Sequence, residues 1–513
     1  MLLYLCASLS ILTLFTVKRI YALRTRLPLP PGPRGWPIIG NLFDMPQDVP
    51  WRTFSHWGRE YGEISSVTVF GQPVIVLNSV KAATELIGNK GKLYADRPEL
   101  LPPGNFIGWK CVLPILKIGE TFRLYRKLWH QESGTHAAIQ KYHAFEETAM
   151  RTFLRGLEQT PQDFLAHSKT HITTVALGTT YGYKVRGAED EAISIVELAM
   201  KEFSAVTAPG FALVSLVPVL RYLPKWLPFG DYIKKRGISV AFLDAVATPP
   251  YDAATRQIEA GQTDDCFLAS AYKPSLTREE SHNIKWLTAT MAASGFTTRL
   301  SAFHGFFLIM ALNPEAQRMA QTEIDHVVGT DRLPNFKDRE RLPYVNALCR
   351  ELSRFHPVVP TGLPHLALED DVYNGYSIPK GSLVIANIGN MLHDPETYSN
   401  PDIFNPSRFL SSEEHVGERD IYDFLFGFGR RSCPGKVVAD TSLFILAAMA
   451  LAVFDISKFV DANGVTVEPV MKPLNGSVSH LEPFKCSVKP RSVAALALIM
   501  SHADGGMDEC RGN

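Results

Sequence analysis

The sequence predicts a mainly α-helical protein with small β-sheets, preceded by a transmembrane helix. Apolar residues recur at helical spacing over most of the 513 residues, whereas strand-like alternation is confined to two short regions. In addition, residues 1–17 carry no charged side chain and are mostly apolar. No repeat or low-complexity run separates domains, so we expect one large body after residue 40.

The N-terminal segment is predicted to anchor the chain in a membrane. Residues 1–17 would span about 25 Å as a helix, slightly short of a bilayer core unless residues 20–23 join them. Basic residues, Lys18 and Arg19 first, follow this run rather than precede it, which argues against a cleavable signal peptide and places the body on the cytosolic side. A buried core helix is the other interpretation, but the basic cluster and a Pro-rich segment follow at once.

The predicted organisation therefore has three parts. Residues 1–23 form the membrane anchor, residues 24–40 a basic and Pro-rich strap, and residues 41–513 the main domain. The strap contains "LPLPPGPRGWP" at 27–37, which is too rich in proline to be helical.

Composition excludes several classes of function. Lys and Arg number 52, and so do Asp and Glu, so the chain has no net charge and a nucleic-acid partner is not expected. Seven cysteines are dispersed without C-x-x-C spacing, which favours neither a disulfide framework nor a zinc site and is typical of a reducing compartment.

Local patterns place the main elements. A hairpin is predicted over 62–78 around Gly71, and a second strand-rich patch over 365–387 with a turn at Pro379-Lys380-Gly381. Helices are predicted at 121–131, 284–312, 314–328 and 344–355. Two long apolar stretches, 99–117 and 203–229, are expected to line a cavity or touch a membrane.

The most specific stretch is "FGFGRRSCPG" at 426–435. Gly427 and Gly429 permit a tight turn that brings backbone amides towards the sulfur of Cys433, and Pro434 and Gly435 then open a long apolar helix. A helix N-terminus and converging N–H groups stabilise a thiolate, which can be the axial ligand of a haem iron. A lone cysteine is more often a small buried hydrophobic residue, but the fixed spacing of its neighbours argues against that here.

This stretch resembles the haem-binding loop of the cytochrome P450 family, F-x-x-G-x-R-x-C-x-G. Phe426, Gly429, Arg431, Cys433 and Gly435 meet every position of it. The resemblance implies the cytochrome P450 fold around one haem (heme b, iron protoporphyrin IX). It also implies that Cys433 is the proximal iron ligand, that Phe426 belongs to the cofactor-binding loop and that Arg431 contacts a haem propionate.

The family's E-x-x-R motif occurs twice, as Glu315/Arg318 and as Glu351/Arg354. The tetrapeptide alone therefore decides nothing. Glu351 precedes "FNPSRF" at 404–409, where the family places an arginine that completes a triad, so we expect a network of Glu351, Arg354 and Arg408. A buried arginine has five donors to satisfy, which makes a three-membered network physically sensible. The position before Arg408, usually glutamate in the family, holds serine.

A basic helix at 121–130 resembles the family's W-R-x-x-R-K segment. Phe122 replaces the tryptophan, and Arg126 stands where the family has a propionate contact, with the remaining cations facing an electron donor. Without the other motifs, a solvated basic face would explain this pattern. By the same resemblance, Arg97 and His365 are further propionate contacts.

"MAASGFTTR" at 291–299 lies in the middle of the predicted helix 284–312 and resembles the family's distal A-G-x-D-T-T. Comparison on the threonines makes Thr297 the catalytic hydroxyl that relays protons to oxygen. It also puts Phe296 where the family has an acid. The inert alternative is a threonine that donates to the carbonyl four residues earlier.

The resemblance implies a monooxygenase that inserts one oxygen atom from O2 into a lipophilic small molecule. Its partners would be the endoplasmic reticulum membrane and an NADPH-cytochrome P450 reductase, through which NADPH acts indirectly. "GLPH", the cysteine loop and the strap look similar to fungal secondary-metabolism members acting on terpenoids or polyketides. Two alternatives stay open: a haem-thiolate enzyme of rearrangement, dehydration or peroxide-driven chemistry, suggested by Phe296, and a haem-binding homologue that has lost catalysis.

Overall fold

The computed structural model describes residues 27–98, 111–207, 217, 240–263, 265–411 and 416–500. The predicted fold class, mainly helical with small sheets, is confirmed within these residues. The helices are α1 (Pro50–Tyr61), α2 (Val80–Ala83), α3 (Gly91–Tyr94), α4 (Glu120–Ser133), α5 (His136–Gln159), α6 (Phe164–Tyr181), α7 (Glu191–Val206), α8 (Val240–Glu259), α9 (Phe267–Ala271), α10 (Arg278–Leu312), α11 (Pro314–Val327), α12 (Pro343–Phe355), α13 (Ile388–Leu392), α14 (Lys436–Val453) and α15 (Val493–Met500). A π-helix, Thr84–Asn89, lies between α2 and α3.

The strands form three small sheets. They are β1 (Ile64–Val69), β2 (Gln72–Leu77), β3 (His365–Leu366), β4 (Asp371–Tyr373), β5 (Tyr376–Ile378), β6 (Leu383–Ala386), β7 (Phe454–Val460), β8 (Thr466–Val467) and β9 (Cys486–Pro490). The first sheet has the order β1-β2-β6-β3, the second pairs β4 with β5, and the third has the order β8-β7-β9. Because β2 and β6 pair in parallel, the two predicted strand regions join in one sheet.

The predicted hairpin is confirmed as β1 and β2, which pair antiparallel. Its turn is formed by Phe70 and Gly71, both with positive φ (47° and 83°), so the turn begins one residue earlier than predicted. The predicted helices 121–131, 314–328 and 344–355 correspond to α4, α11 and α12 with small shifts at their ends.

The long helix α10 runs through the centre of the protein. It begins six residues before the predicted start, because Thr277 and Glu280 form a capping box: the Thr277 Oγ1 accepts from the Glu280 amide, and the Glu280 carboxylate accepts from the Thr277 amide. It ends at Leu312, before Asn313-Pro314. The helix contacts α6, α7, α8, α12 and α14, and buried residues lie on all of its faces. A helix that is apolar on every side belongs in the core.

Two described helices, α10 and α14, are long and apolar enough to cross a membrane, but 78% and 72% of their most apolar windows are buried within the protein. They are therefore core helices. The expected anchor at 1–23 lies outside the described residues, and so do most of the apolar stretches 99–117 and 203–229.

Residues 27–35 of the strap are extended and hydrogen-bonded to two sheets, whereas residues 36–40 form a turn. The carbonyl of Pro31 accepts from the Ser66 amide at 2.8 Å, and that of Pro28 accepts from the Ser377 amide at 2.8 Å. The Ser66 hydroxyl also donates to the carbonyl of Pro30. These bonds tie the N-terminal side of the main body to β1 and β5.

The expected triad is present below the core. Arg354 donates to both carboxylate oxygens of Glu351, from Nε at 2.7 Å and from Nη2 at 2.9 Å, and Arg408 donates from Nε at 3.1 Å. The Asn405 amide adds a fourth donor at 2.8 Å. Glu351 and Arg354 are both 0% exposed, so their charges depend on these partners for the solvation that water would otherwise supply.

The remaining donors of the two arginines are also used. Arg354 donates to the carbonyls of Leu392 and Pro401, and Arg408 donates to the Glu418 carboxylate at 2.7 Å. Glu418 thus gives Arg408 a second carboxylate, although the position before Arg408 is not an acid. The network connects α12, α13 and the segment around 399–418 that leads to the cysteine loop.

We predict that Arg354→Ala lowers the free energy of unfolding by roughly 3–5 kcal/mol, because it leaves the Glu351 charge buried without its main partner. Arg318→Ala is the matched control, since its partner Glu315 forms the other E-x-x-R pair on an exposed surface. Urea unfolding of the two variants, followed by tryptophan fluorescence, measures the difference. Equal stabilities would show that the buried network is not what holds this side of the protein together.

Candidate active site

A cavity of about 440 Å³ lies between α10 and the loop at 426–435. This size is within the range of small-molecule and cofactor sites. Its wall contains every residue predicted to bind the cofactor: Arg97, Arg126, His365, Phe426, Arg431 and Cys433. The sequence-predicted catalytic residue, Thr297, is not on that wall.

The cysteine loop is held in a tight turn by its glycines. Gly427 and Gly429 both have positive φ, 78° and 54°, and the Cys433 amide donates back to the Phe426 carbonyl at 2.8 Å. A side chain at Gly429 would place its Cβ 2.8 Å from the carbonyl oxygen of Ile87, in the π-helix. Glycine is therefore required at this position both by backbone conformation and by space.

The side chain of Cys433 borders the cavity and is exposed. Burial raises the pKa of its thiol, while a hydrogen bond from the Gly435 amide and the charges of Arg126 and Lys436 lower it. Helix α14 begins at Lys436, with Gly435 as its N-cap. Pro434 therefore precedes the helix instead of occupying its first position, which corrects the predicted start by two residues.

One rim of the cavity is strongly cationic. Arg97, Arg126, Arg431 and His365 all border it, and the nearest carboxylate to them among the described ion pairs is that of Asp96, 3.9 Å from Arg431 Nη2. Burial and mutual repulsion lower the pKa of Arg97, and burial lowers that of Arg431 to about 10. Such an excess of buried positive charge calls for an anionic partner.

Backbone carbonyls position the guanidinium groups on this rim. Arg97 donates to the carbonyls of Pro114, Leu363 and Pro364, which leaves its Nη2 without an acceptor among the described residues. Arg126 donates from Nη1 to the Ser432 carbonyl at 2.5 Å, and its Nε and Nη2 have no acceptor there either. These spare N–H groups are available to a carboxylate in the cavity.

Arg431 and His365 complete the rim. Arg431 donates to the carbonyls of Ala95 and Leu116, both at 2.5 Å, and its guanidinium lies 4.3 Å from the ring centre of Phe122. His365 lies with Nδ1 2.7 Å from the Tyr94 carbonyl oxygen, so that nitrogen carries the hydrogen. Burial and the neighbouring arginines hold the pKa of His365 well below its usual value.

The opposite wall is formed by α10, where the structure contradicts the assignment of the catalytic hydroxyl to Thr297. Thr298 borders the cavity, and its Oγ1 makes only a long bond, 3.3 Å, to the Ser294 carbonyl. The Thr297 hydroxyl is buried away from the cavity and has no hydrogen-bond partner. The reason is helical geometry, because one residue along a helix turns the side chain by about 100°.

Phe296 is likewise part of the core, 1% exposed, and does not face the cavity. If the family pattern A-G-x-D-T-T is matched one residue further along the chain, its threonine falls on the side of α10 that borders the cavity. This comparison matches Ser294 and Gly295 to the family's A-G, Thr297 to its acid and Thr298 to its threonine. The acid is therefore still absent from α10, but a threonine rather than a phenylalanine stands in its place.

Several polar residues on the cavity wall were not predicted from the sequence, among them three charged ones: Glu132, Glu146 and Arg299. All three are nearly buried. For Glu146, the sequence did contain a signal: Ile139, Tyr142 and Glu146 recur at helical spacing on α5, so an acid lies on the apolar side of that helix. Arg299 stood out in sequence only as a charge in a core helix.

The donor set of this cavity fits a haem. A cysteine sulfur faces it from one side, a small and apolar helix surface from the other, and spare N–H groups of Arg97 and Arg126 lie at one edge, as propionates would require.

Comparisons with known proteins agree with this geometry. The model of the family described as "Cytochrome P450" matches residues 30–485. The chain is 44% identical over 474 residues to cytochrome P450 monooxygenase 208 of Postia placenta, covering 92% of each chain. It is 40% identical over 505 residues to cytochrome P450 monooxygenase claR of Ampulloclitocybe clavipes, covering 98% of this chain and 93% of the relative.

A third relative, cytochrome P450 monooxygenase ppsD of Aspergillus oryzae, is 37% identical over 483 residues, covering 92% and 90% of the two chains. Both the family match and these identities extend over nearly all of the described body. The chain belongs to the cytochrome P450 family and is a cytochrome P450 monooxygenase.

Proposed function

We propose that the protein inserts one oxygen atom from O2 into a lipophilic small molecule, with electrons supplied by NADPH through a membrane-bound reductase. The observation that carries this proposal is the Cys433 sulfur at the floor of an enclosed cavity, opposite the Thr298 hydroxyl and beside a cationic rim. The domain at 41–513 is the catalytic body in this proposal.

Haem b would be held by Cys433 through its iron and by Arg97, Arg126 and Arg431 through its propionates, with Phe426 in the supporting loop. His365 would contact a propionate through Nε2 in its doubly protonated form, which a neighbouring carboxylate favours. When bound, the haem supplies reductive activation of O2 and transfer of an oxygen atom. The Gly435 amide and the positive charge of Arg126 favour the thiolate form of Cys433. Electron donation from a thiolate favours cleavage of the O–O bond.

Thr298 is the hydroxyl that passes a proton into the distal part of the cavity. Its Oγ1 can accept a proton from a donor behind it while giving up its own, so the residue is unchanged after each transfer. The long bond to the Ser294 carbonyl leaves this hydroxyl free to rotate towards the cavity. Small neighbours on α10, Ala293 and Gly295, leave room beside it.

The electron donor is proposed to dock on the outer face of α4. Arg123, Lys127 and His130 are exposed along this face. Arg126, on the same helix, donates to the carbonyl of Ser432, next to Cys433. A cationic surface therefore lies one helix away from the sulfur, and an acidic partner surface would be attracted to it.

The substrate is proposed to be lipophilic because the part of the cavity away from the cysteine loop is mainly apolar. Its wall there includes Val175, Met200, Phe203, Trp286 and Ala289. Similarity to fungal monooxygenases favours a role in secondary metabolism, and a terpenoid or a polyketide is the proposed substrate class.

Membrane attachment at the endoplasmic reticulum is proposed from the sequence of residues 1–23 and from the surface that follows them. Leu27, Trp36, Ile38 and Phe43 are large apolar residues that are all exposed, Ile38 by 88%. They lie on the segment through which the chain leaves the predicted anchor. A lipid surface would cover them, with Trp36 at the depth of the headgroups.

The alternative chemistries keep the haem but do not need reductase electrons. Rearrangement, dehydration or peroxide-driven turnover is suggested by the missing acid, and this reason still holds with Thr297, rather than Phe296, at the acid's position. Strict dependence of turnover on NADPH, reductase and O2 would exclude them. A homologue without catalysis would consume no O2 with any of a broad substrate panel.

The first test is the absorption spectrum of the reduced carbon monoxide complex. We expect the wild-type protein to show the red-shifted Soret band of thiolate ligation and Cys433→Ala to lose it, because no other described cysteine borders the cavity. Cys349→Ala, a buried cysteine in the core, is the control and should keep the band. Persistence of the shifted band in Cys433→Ala would refute the ligand assignment.

The second test separates the two threonines. Thr298→Ala should lower the product formed per NADPH and raise the release of hydrogen peroxide. The expected loss is roughly 100-fold, because a positioned proton donor contributes at least about that factor. Thr297→Ala, whose hydroxyl lies outside the cavity, is the matched control and should remain coupled. The opposite pattern would restore Thr297 as the relay residue.

The third test concerns the membrane. Deletion of residues 1–23 should release the protein from membranes into carbonate washes, whereas the full chain should stay in the pellet. In the shortened protein, Trp36→Ser with Ile38→Ser should reduce the residual binding to liposomes. Arg52→Ser is a surface control on α1. A full chain that is extracted by carbonate would contradict the anchor.

A further inference from the structure

A buried acid on α5 borders the cavity next to α14. Glu146 is 5% exposed, and its Oε1 accepts a hydrogen bond from the Ser442 hydroxyl of α14. Its other carboxylate oxygen, Oε2, has no hydrogen-bond donor among the described residues. Glu146 itself borders the cavity. A carboxyl group in this position is costly to bury and is not explained by the packing of the helices alone.

Arg299 of α10 borders the same cavity as Glu146. Its Nε donates to the Gly295 carbonyl at 2.9 Å, and its guanidinium lies over Gly295, where a Cβ would be 2.8 Å from Nη2. The absence of a side chain at Gly295 therefore makes room for this charge. Arg299 is 7% exposed, borders the cavity and lies near His171 as well as Glu146.

Glu146 and Arg299 influence each other without touching. Each alters the pKa of the other, but no ion pair of 4.0 Å or less joins them in the described structure. Both border the same cavity, so a water molecule bonded to both would link them. Thr298, the residue before Arg299, places its hydroxyl on the same wall.

A second buried acid connects this region to the surface. Glu132, at the end of α4, accepts from the hydroxyls of Tyr142 and Ser270 and is 2.7 Å from Lys141 Nζ. Lys141 is half-exposed, whereas Glu132 is buried and borders the cavity with Tyr142. Tyr142 and Glu146 are four residues apart on α5 and thus lie on one face of that helix.

The protonation of Glu146 is set by opposing effects. Burial, the largest of them, raises the pKa of the carboxyl group, and the neighbouring charge of Glu147 acts in the same direction. The hydrogen bond from Ser442 and the charge of Arg299 act in the opposite direction, but the pKa remains above its ordinary value. Glu146 therefore keeps its proton to a higher pH than a free glutamic acid does.

We propose that Glu146 is the acid that supplies protons to the distal wall of the cavity through Thr298, in place of the carboxylate that α10 lacks. In this route the carboxyl O–H of Glu146 gives its proton to an intervening water, the water gives one to Thr298 Oγ1, and Thr298 releases its own into the cavity. Glu146 is protonated again from solvent by way of Glu132.

The proton balance of this route closes without any further reactant. The proposal rests on the monooxygenase function above, in which one atom of O2 enters the substrate and the other becomes water, with two electrons from NADPH and two protons from solvent. Glu132, Glu146 and Thr298 return to their starting states after each proton passes. Arg299 holds the water near Glu146 and limits the negative charge that is left behind.

A purely structural role for Glu146 makes different predictions. If Glu146 only joined α5 to α14 through Ser442, Glu146→Gln would be harmless, because the amide oxygen of glutamine still accepts that hydrogen bond. If it carries protons, the same variant would fold and bind haem but lose the acid. The isosteric change thus separates the two roles.

The experiment compares Glu146→Gln with Glu147→Gln in the holoenzyme, with NADPH and reductase. Glu147 is the next residue, lies outside the cavity wall and accepts a hydrogen bond from the Phe336 amide, which glutamine also accepts. We expect Glu146→Gln to lower product per NADPH by roughly 100-fold and to raise hydrogen peroxide release, and Glu147→Gln to resemble the wild type. Glu146→Asp should recover part of the loss.

Infrared spectroscopy of the resting holoenzyme gives a readout that does not depend on turnover. In a pH series, the carbonyl stretch of a buried protonated carboxyl group, which shifts in D2O, should persist to a higher pH than that of free glutamic acid in the wild type and in Glu147→Gln, and should be absent in Glu146→Gln. An intact carbon monoxide spectrum in Glu146→Gln would show that the haem site is preserved.

The outcomes separate this proposal from the function on which it rests. A wild-type enzyme that forms product with NADPH, together with an equally coupled Glu146→Gln, would overturn the relay and leave the monooxygenase function standing. A wild-type enzyme that turns over only with peroxide would instead refute the proposed function. Loss of the infrared band together with loss of coupling in Glu146→Gln alone is the result that supports the relay.

Discussion

The structure depends on one constraint: the sulfur of Cys433 has to carry a negative charge inside a cavity. Burial by itself keeps a thiol protonated, so the protein surrounds Cys433 with compensating groups: the Gly435 amide at the start of α14 and the charge of Arg126 from α4. The turn that allows this needs Gly429, which leaves no space for a side chain against the π-helix. Elements distant in sequence therefore meet around this loop: α4, α14 and the π-helix.

The other charged groups in and near the cavity also differ in whether they have a partner of opposite charge. On one rim, buried arginines are spaced by backbone carbonyls, and their spare N–H groups point to an anion as the missing partner. Below the core, Glu351 and its two arginines satisfy one another, which makes that region rigid without leaving charge for chemistry. Elsewhere on the cavity wall, Glu146 and Arg299 are buried, and neither has an ion-pair partner among the described residues. Their incomplete satisfaction suggests that these groups serve proton movement rather than packing.

The distal helix shows how far a motif comparison can be trusted. The small residues and adjacent threonines of α10 were enough to predict that this stretch forms the wall of an oxygen site, but not which threonine faces it. A difference of one position turns a helical side chain by about 100°, and a pattern such as A-G-x-D-T-T can be matched in two neighbouring registers. Only the packing of Phe296 into the core shows that Thr298, not Thr297, borders the cavity.

The sequence by itself determined the family, the fold class and the residues of the cysteine loop, because these depend on short-range patterns: a ten-residue motif, helical periodicity and the placement of glycine and proline. It also predicted the rim residues, since each lies in a motif of its own. Tertiary structure alone decided which side chains share the distal wall and that Glu132, Glu146 and Arg299 belong to it. These residues come from three helices far apart in the chain, and no local pattern records the angle at which helices pack.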